Sequence, residues 1–216
     1  MKGQYSKRLD EFLKKLKVEG RVPSILLHSC CAPCSSYCIE FLAEYFDVTV
    51  FYYNPNIYPD EEYLMRVRQQ QDFINRFPAA RPVSFIEGDF EKDRFYDEVA
   101  RGYEDCPERG ERCERCFFLR LSETAKRAAA DGFAYFATTL TISPQKDVDV
   151  LNEVGQRCAR LYGVSYLETE FRKKGGYLRS CEISREYDMY RQDYCGCVYS
   201  KQERDRQRQE NEKESG

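Results

Sequence analysis

The chain has 216 residues, of which 42% are hydrophobic and 33% are charged, and its net charge is −3. This length suits one domain with a real hydrophobic core. The longest apolar runs fall well short of the roughly 20 residues that cross a bilayer, so we expect no membrane partner. The small negative charge excludes a globally basic surface, and any contact with RNA must use a local basic patch.

The N-terminal segment has the pattern of an amphipathic helix, with apolar residues at helical spacing and Lys and Glu between them. Its predicted apolar face consists of Leu9, Phe12, Leu13 and Leu16. The segment lacks the apolar region and the small-residue cleavage site of a secretory signal. We therefore expect a cytoplasmic protein.

Short apolar strands alternate with helical patterns along the rest of the chain. The predicted strands are 24–28, 48–53, 83–86, 133–139 and, as a strand or an extended piece, 165–169. The predicted helices are 37–45, 61–77, 95–101, 117–131 and 148–162. This alternation is typical of βαβ units and predicts an α/β fold with an open, mostly parallel sheet flanked by helices, a Rossmann-like architecture. We predict one domain over residues 1–200 and a charged tail over 201–216 that is a solvated helix or disordered.

The position after the first predicted strand is the default site for a cofactor. In parallel α/β sheets, ligands lie beyond the carboxyl ends of the strands, near the switch in strand order. Nucleotide-binding proteins of this architecture carry a glycine-rich phosphate loop there, and this chain has neither GxxxxGK nor GxGxxG at that point. It has CCAPC at residues 30–34 instead. The pattern predicts a thiolate site at this edge of the sheet.

The chain contains 11 cysteines and a single histidine, His28. In a reducing compartment a chain of this length does not need disulfides, and an odd number of cysteines cannot pair completely. Metal binding or redox chemistry is therefore favoured. The shortage of histidine favours a sulfur-only site over a mixed one. His28 lies inside a predicted strand, where we expect a buried core histidine.

Seven of the cysteines fall into three tightly spaced groups. The groups are Cys30, Cys31 and Cys34; Cys113 and Cys116; and Cys195 and Cys197. Each group follows a strand or opens a helix in the predicted pattern, so all three can converge at one edge of the sheet. Zinc ribbons and iron–sulfur proteins both use CxxC pairs to direct two sulfurs at one metal site. We expect the other four cysteines to be buried apolar residues.

The spacing leaves several arrangements open. Adjacent side chains diverge in regular structure, so Cys30 and Cys31 share one centre only if the backbone turns sharply between them. Gly196 permits a positive φ, which would let Cys195 and Cys197 form a reversible disulfide or hold a second metal ion. Cysteines at helix N-termini are expected to favour the thiolate. A structural zinc site needs only four sulfurs. The seven grouped cysteines exceed that number, so they fit an iron–sulfur cluster with four cysteine ligands and additional thiols better than they fit one zinc ion.

Five segments resemble, in their order and spacing, the QueH-type epoxyqueuosine reductases. They are LLHSCCAPCS, FYYNPNIYPDEEYLMR, RCERCFFLRL, FATTLTISPQKD and YRQDYCGCVYS. The likeness extends over residues 23–200 and leaves out the N-terminal helix and the charged tail. It implies an oxidoreductase that reduces the epoxide of epoxyqueuosine in tRNA to queuosine, the final step of queuosine biosynthesis. Residues 1–200 would then form a single iron–sulfur reductase domain.

The resemblance also implies roles for individual cysteines. The residues that match the ligands of a [4Fe–4S] cluster are Cys30, Cys31, Cys113 and Cys116. Cys195 and Cys197 match a pair interpreted either as a redox-active disulfide or as ligands of an additional iron ion. Cys34 stands where family members vary between cysteine and other residues, including a carboxylate. We take Cys34, Cys195 and Cys197 as candidate catalytic residues and all seven as candidate metal ligands.

The implied substrate is a base of the tRNA anticodon loop, which must be splayed out to reach the site. Aromatic stacking and local Arg or Lys contacts are the usual means. Residues that follow the second and fourth predicted strands are candidate substrate contacts or, alternatively, structural turn residues. These candidates are Tyr53, Asn54, Asn56, Thr139, Ser143 and Lys146, the last suited to a phosphate. The basic segment 171–179 is either an RNA-binding patch or a solvated loop.

The implied chemistry requires two electrons and two protons, together with a group that holds the departing oxygen. A cluster supplies electrons singly, a dithiol supplies two, and a ferrous ion would act as a Lewis acid. An electron donor of unspecified identity is then a required partner. Two other functions compete: a non-catalytic zinc or iron–sulfur binding module, and a sulfur-transferring tRNA ATPase. The missing phosphate loop argues against the ATPase.

Overall fold

Within residues 4–214, which the computed structural model describes, five strands form one open sheet. The strands are β1 (Ser24–His28), β2 (Asp47–Tyr52), β3 (Ser84–Glu87), β4 (Tyr135–Thr138) and β5 (Ser165–Tyr166). They lie in the order β3-β2-β1-β4-β5, and every neighbouring pair is parallel. The predicted α/β class and the open parallel sheet are confirmed.

Helices connect the strands and cover both faces of the sheet. They are α1 (Gln4–Glu19), α2 (Ala32–Leu42), α3 (Asp60–Arg76), α4 (Lys92–Arg94), α5 (Glu111–Ala130), α6 (Val148–Tyr162), α7 (Gly176–Glu186) and α8 (Val198–Glu214). A π-helical segment, Phe95–Ala100, continues α4, and a 3₁₀ turn, Thr139–Ile142, follows β4. No helix in this described part of the chain is long and apolar enough to cross a membrane.

The two faces of the sheet carry separate cores, because side chains of a strand alternate between its faces. Ile25 and Leu27 of β1 pack in one core with α1, α2 and α7, whereas Leu26 packs in the other with α5 and α6. The predicted apolar face of α1 is confirmed, since Leu9, Leu13 and Leu16 are buried. The result is a three-layer α/β/α sandwich.

The strand order reverses between β1 and β4. The chain runs outward from β1 to β2 and β3, then returns to the other side of β1 to form β4 and β5. His28, the last residue of β1, lies opposite Phe51 in β2 and Thr138 in β4. The loops that leave β1 and β4 therefore diverge at this point and open the crevice where parallel sheets bind ligands.

Three elements differ from the sequence predictions. α5 begins at Glu111 rather than at residue 117, so the CxxC pair lies within its first two turns. α7 occupies residues that the sequence pattern assigns largely to loops. α2 spans Ala32–Leu42, whereas the sequence pattern predicts a helix over 37–45. The charged tail is helical to residue 214 as part of α8, which is one of the two alternatives that the sequence left open. The division into a domain over 1–200 and a tail stays a prediction.

Candidate metal centre

The turn after β1 brings three sulfurs together. Cys31 is the N-cap of α2, with an extended backbone at φ −174° and ψ 160°, and a proline follows in the first turn. Cys34 lies three residues further on, on the same face of the helix. The Sγ atoms of Cys30 and Cys31 are 3.8 Å apart, and those of all three cysteines lie within 4.8 Å of one another. The sharp turn that would let Cys30 and Cys31 share one centre is therefore present.

We refer to Cys30, Cys31 and Cys34 as the triad. Its sulfur spacing suits direct ligation of one metal ion, because two sulfurs about 2.3 Å from a tetrahedral ion lie about 3.8 Å apart. Thiolates of a four-iron cluster bind separate irons and so lie farther apart. The sulfur-only donor set is one that zinc and iron both accept. The triad could therefore hold a metal, and its donor chemistry fits either a single ion or part of a cluster.

Cys31 is the most acidic thiol of the triad. Hydrogen bonds from Cys30 and Cys34 hold the pKa of Cys31 well below its usual range, and attraction to Arg66 adds to this against the effect of burial. The same interactions raise the pKa of Cys34 well above its usual range. The N-terminus of α2 also favours an anion at Cys31. Cys31 is therefore the sulfur of the triad that a metal deprotonates most readily.

Buried polar side chains fix the position of the triad. Gln70 of α3 accepts hydrogen bonds from the hydroxyls of Ser29 at 2.7 Å and Ser35 at 2.8 Å. Asn54, after β2, donates to the carbonyl of Ser29 at 2.8 Å. The hydroxyl of Thr139, after β4, lies 3.7 Å from Cys30 Sγ. Three neighbouring elements therefore hold the turn that carries the sulfurs.

The other four sulfurs of the predicted site come from two distant segments, and we call them the second group. Cys113 and Cys116 lie in α5, and Cys195 and Cys197 lie just before α8. Burial raises the pKa of Cys113 to about 11 and that of Cys116 to about 12. The effect of burial outweighs the expected preference of a helix N-terminus for thiolate. Cys113 and Cys116 are therefore neutral thiols near neutral pH. Metal binding at these residues would have to release their protons.

Gly196 adopts the positive φ that the sequence suggests, at +124°. A Cβ at this position would lie 3.1 Å from Arg66 Nη1, and the carbonyl of Gly196 accepts a hydrogen bond from Tyr58 N at 2.8 Å. The loop that carries Cys195 and Cys197 is therefore closely packed. All 11 cysteines, each within the described residues, are free thiols, so the two are not joined by a disulfide in this structure.

A cleft of about 570 Å³ adjoins both the triad and the loop that carries Cys195 and Cys197, which we call the C-terminal pair. It is lined by Cys30, Cys34 and Cys195. Lys146 also lines it, and its Nζ donates to Cys195 Sγ at 3.0 Å and to Glu108 Oε1 at 3.0 Å. Burial lowers the pKa of Lys146, but its electrostatic interactions and hydrogen bonds with Cys195 and Glu108 outweigh this effect and raise it. Lys146 is therefore a cation held against Cys195. A second cleft of about 660 Å³ adjoins Cys113 on the outer side of α5.

Further side chains line the cleft, and sequence reasoning did not single them out. Those with aromatic rings or positive charge are Arg109, Tyr177, Arg191, Tyr194 and Arg204. Arg204 belongs to α8, so the charged tail contributes to the wall of the cleft. The sequence signal for this role is the basic character of the tail, which by itself also fits a solvated helix.

The six predicted substrate contacts divide into two sets. Ser143 and Lys146 line the cleft. The other four are fully or nearly fully buried: Tyr53, Asn54, Asn56 and Thr139. Tyr53 donates its hydroxyl hydrogen to Glu91 at 2.8 Å, and Thr139 contacts Cys30. Asn54 also donates to the carbonyl of Ser29, so two of the four contact the turn that carries the sulfurs. The role of all six as substrate contacts stays a prediction.

The remaining cysteines follow the expectation in part. Cys38 and Cys158 are fully buried, as expected for core residues. Cys106 and Cys181 are only partly buried, and Cys181 lies in α7 rather than in a loop. None of the four belongs to the group of sulfurs that lie within 4.8 Å of one another in the described residues.

A buried arginine that the sequence analysis missed lies beneath the site. Arg120 of α5 donates through Nε to His28 Nε2 at 3.3 Å and through Nη2 to Asn54 Oδ1. The other ring nitrogen of His28, Nδ1, lies 2.9 Å from the hydroxyl of Thr138. Both nitrogens therefore have hydrogen-bond partners, as expected for a buried core histidine. A signal for Arg120 was available, because it follows Cys116 by four residues and so lies on the same face of the helix.

Comparison with known proteins identifies relatives over most of the chain. The sequence model of the family described as "Epoxyqueuosine reductase QueH" matches residues 25–203. The protein of that name from Streptococcus pyogenes serotype M1 is 44% identical over 198 residues, which cover 91% of this chain and 77% of the relative. The one from Staphylococcus epidermidis is 41% identical over 91% of this chain and 84% of the relative. The one from Thermotoga maritima is 36% identical over 84% of this chain and 92% of the relative.

Proposed function

Because the chain belongs to the epoxyqueuosine reductase QueH family, as the resemblance predicts, we propose that it is an oxidoreductase that reduces the epoxide of epoxyqueuosine in tRNA to queuosine. The observation that carries this proposal is the cleft at the switch in strand order, which is lined by cysteines of both groups. An enzyme that removes an oxygen atom needs electron carriers beside its substrate. Thiols and the metals that they bind supply them.

The reaction converts the epoxide into a carbon–carbon double bond. Two C–O bonds break, two electrons and two protons enter, and the oxygen leaves as water. An iron–sulfur centre, when bound, supplies electrons one at a time, and an iron with an open position polarises the departing oxygen. An external electron donor must restore the electrons after each turnover.

We assign the sulfurs according to the family pattern. The proposed ligands of a [4Fe–4S] cluster are Cys30, Cys31, Cys113 and Cys116. Cys34, Cys195 and Cys197 remain for an additional iron ion or, in the case of the last two, for a reversible dithiol. The electrostatic interaction of Arg120 with both Cys30 and Cys116 supports the assignment, because one side chain then reaches sulfurs of the triad and of the second group.

The other side chains of the cleft have roles in holding the tRNA. Tyr177 and Tyr194 offer rings on which a splayed-out base can stack, and Arg191 and Arg204 offer positive charge to the phosphates. Lys146 holds the side chain of Cys195 at the wall of the cleft, because its ammonium group bridges Cys195 and Glu108. We therefore place the modified base between the two tyrosines and Cys195.

The proposal is tested with protein purified without oxygen and with tRNA that contains epoxyqueuosine. We expect brown protein that holds iron and sulfide and forms queuosine when a chemical reductant is supplied, without ATP. Iron and sulfide analysis of the same sample distinguishes a cluster from a single ion. Failure of iron-loaded protein to convert this tRNA would contradict the proposal.

A zinc-binding module is the second candidate, and the 3.8 Å spacing of the sulfurs of Cys30 and Cys31 favours it, since this is the spacing expected around one tetrahedral ion. It would give colourless protein with stoichiometric zinc and no conversion of the tRNA. The same metal analysis therefore decides between the two candidates. A requirement for ATP would instead favour the sulfur-transferring ATPase.

A further inference from the structure

Arg120 is a buried cation whose countercharge is not a carboxylate. Its side chain is 2% exposed, and its hydrogen-bond acceptors, His28 and Asn54, are neutral. No carboxylate among residues 4–214 forms a salt bridge with it within 4.0 Å. Arg66, on the other side of the triad, is equally buried but lies 2.6 Å from the carboxylate of Glu62. The two arginines therefore differ in what balances their charge.

A guanidinium group is costly to bury without a negative charge nearby, by several kcal/mol even after the protein relaxes. The ionisable groups that interact most strongly with Arg120 are sulfurs, with Cys116, one turn earlier on α5, first, followed by Cys30 and Cys195. The countercharge of Arg120 is thus the cysteine site itself.

The position of Arg120 is fixed by the ends of three strands. His28 ends β1 and contacts Thr138 at the end of β4, and Asn54, just after β2, is anchored on the carbonyl of Ser29. His28 is fully buried, and its Nε2 accepts the hydrogen bond from Arg120. The guanidinium group therefore cannot turn toward solvent to escape an unfavourable charge. It is a permanent positive charge between Cys30 and Cys116.

We propose that Arg120 is a positioning residue that balances the negative charge of the thiolate-ligated centre and raises its reduction potential. Each electron that enters such a centre adds one negative charge, and a fixed cation stabilises the reduced form more than the oxidised form. The inference rests on the proposed function only in requiring a redox-active centre. Conversion of tRNA is not part of it.

The test is a redox titration of the reconstituted holoprotein, followed by its visible absorption and electron paramagnetic resonance. Arg120→Met removes the charge and keeps the length of the side chain. We expect the equilibrium constant for reduction to fall at least tenfold, a shift of about 59 mV for one electron toward more negative potential. Arg120→Lys should retain most of the wild-type potential. Arg127→Met, an exposed position of the same helix, is the matched control and should leave the potential unchanged.

A second variant tests the same idea without removing the arginine. Asn54→Asp places a carboxylate against Arg120 and should shift the potential in the same direction as Arg120→Met. An unchanged potential in both variants, with metal content intact, overturns the proposal. If both lose the metal while they remain folded by circular dichroism, and Arg120→Lys keeps it, the positive charge holds the centre in place instead of setting its potential, and the proposed effect on the potential is overturned. If Arg120→Lys also loses the metal, the shape of the arginine side chain and not its charge is what the centre requires, and the proposal is overturned.

The outcome is separable from that of the proposed function. A wild-type protein that takes up electrons reversibly but leaves epoxyqueuosine unchanged contradicts the proposed function and still permits the potentials to be compared. A wild-type protein whose metal accepts no electrons contradicts the inference about Arg120.

Discussion

The triad and the second group use cysteine in different ways. In the triad, one turn and the first residues of α2 gather three sulfurs within 4.8 Å, and the pKa of one of them, Cys31, is held well below its usual range. In the second group, Cys113 and Cys116 are neutral thiols, and their partners Cys195 and Cys197 come from a separate segment. Local chain geometry thus prepares the first set, whereas the second depends on tertiary packing and on the metal itself.

The difference has an energetic basis. A metal that binds the triad finds three sulfurs in place, and the pKa of one of them, Cys31, is already lowered, although Cys30 and Cys34 must still lose their protons. At Cys113 and Cys116 the metal must remove protons that burial holds on the thiols, so part of its binding free energy is used there. We therefore expect the second group to be the part of the site that is lost first when ligands are changed.

The largest effect is expected for Cys116→Ser. A serine hydroxyl ionises far less readily than a thiol, so the second group loses a ligand that only the metal can ionise. We expect loss of most of the bound iron and of turnover. Iron and sulfide analysis of the purified variant measures this. Cys158→Ser is the control, because Cys158 is buried in the core of α6, and its variant should keep the iron. Full iron content in Cys116→Ser would remove this residue from the centre.

Cys195→Ser should separate binding of the centre from catalysis. Lys146 can donate to a serine oxygen as it does to sulfur, so the loop is expected to keep its place. We expect the colour and iron content of the protein to be retained and turnover of the tRNA to fall below detection. The paired measurement is visible absorption and queuosine formation on one sample. Loss of the cluster absorption would show that Cys195 is a ligand that the centre requires.

Gly196→Ala tests how closely the C-terminal pair must be positioned. The φ of +124° disfavours any side chain, at a cost of about 1–3 kcal/mol, and the added Cβ would lie 3.1 Å from Arg66 Nη1. We expect turnover to fall by about tenfold or more, with the iron content unchanged. Gly132→Ala has a similarly strained φ of +74° with nothing within 4 Å, and should lower stability without lowering turnover. Equal losses of turnover in the two variants would contradict this.

The fold was predictable wherever sequence signals act locally. The strand 24–28 was predicted with the bounds that the structure gives. The helix 148–162 was also predicted in full, because Asp147 caps its N-terminus and Gly163 ends it in the left-handed conformation. α7 was missed since its N-cap, Gly175, has no side chain to mark the start of a helix. Its first residue instead packs against the ring of Tyr37 in α2, a contact that no local pattern shows.

The site shows the same division. Spacing alone identified the three cysteine groups, and the resemblance assigned their roles. The contact between Lys146 and Cys195 joins residues far apart in the chain, and no periodicity predicts it. A sequence cannot show that Arg120 has no carboxylate beside it, because the neighbours of a buried charge are set by tertiary packing. The buried charges around the sulfurs therefore needed the structure.

The smallest effect is expected for Arg179→Met, which tests whether the triad depends on tertiary contacts after all. Arg179 of α7 donates to Glu40 of α2 at 2.7 Å and also pairs with Glu182 and Glu186. The network is partly exposed and screened by salt, so the variant should lose less than about 1 kcal/mol of unfolding free energy. Urea denaturation at low and high salt measures the loss, which should shrink at high salt.

The iron content of Arg179→Met is the decisive reading, because α2 begins at the triad and ends near this ion pair. If the turn after β1 alone arranges the three sulfurs, loosening the far end of α2 leaves their spacing and the bound metal unchanged. Arg179→Lys, which keeps the charge, serves as the matched control for stability. Loss of iron in Arg179→Met but not in Arg179→Lys would mean that packing of α7 on α2 helps to assemble the triad. Both groups of sulfurs would then depend on tertiary packing, and they would differ only in how strongly they depend on it.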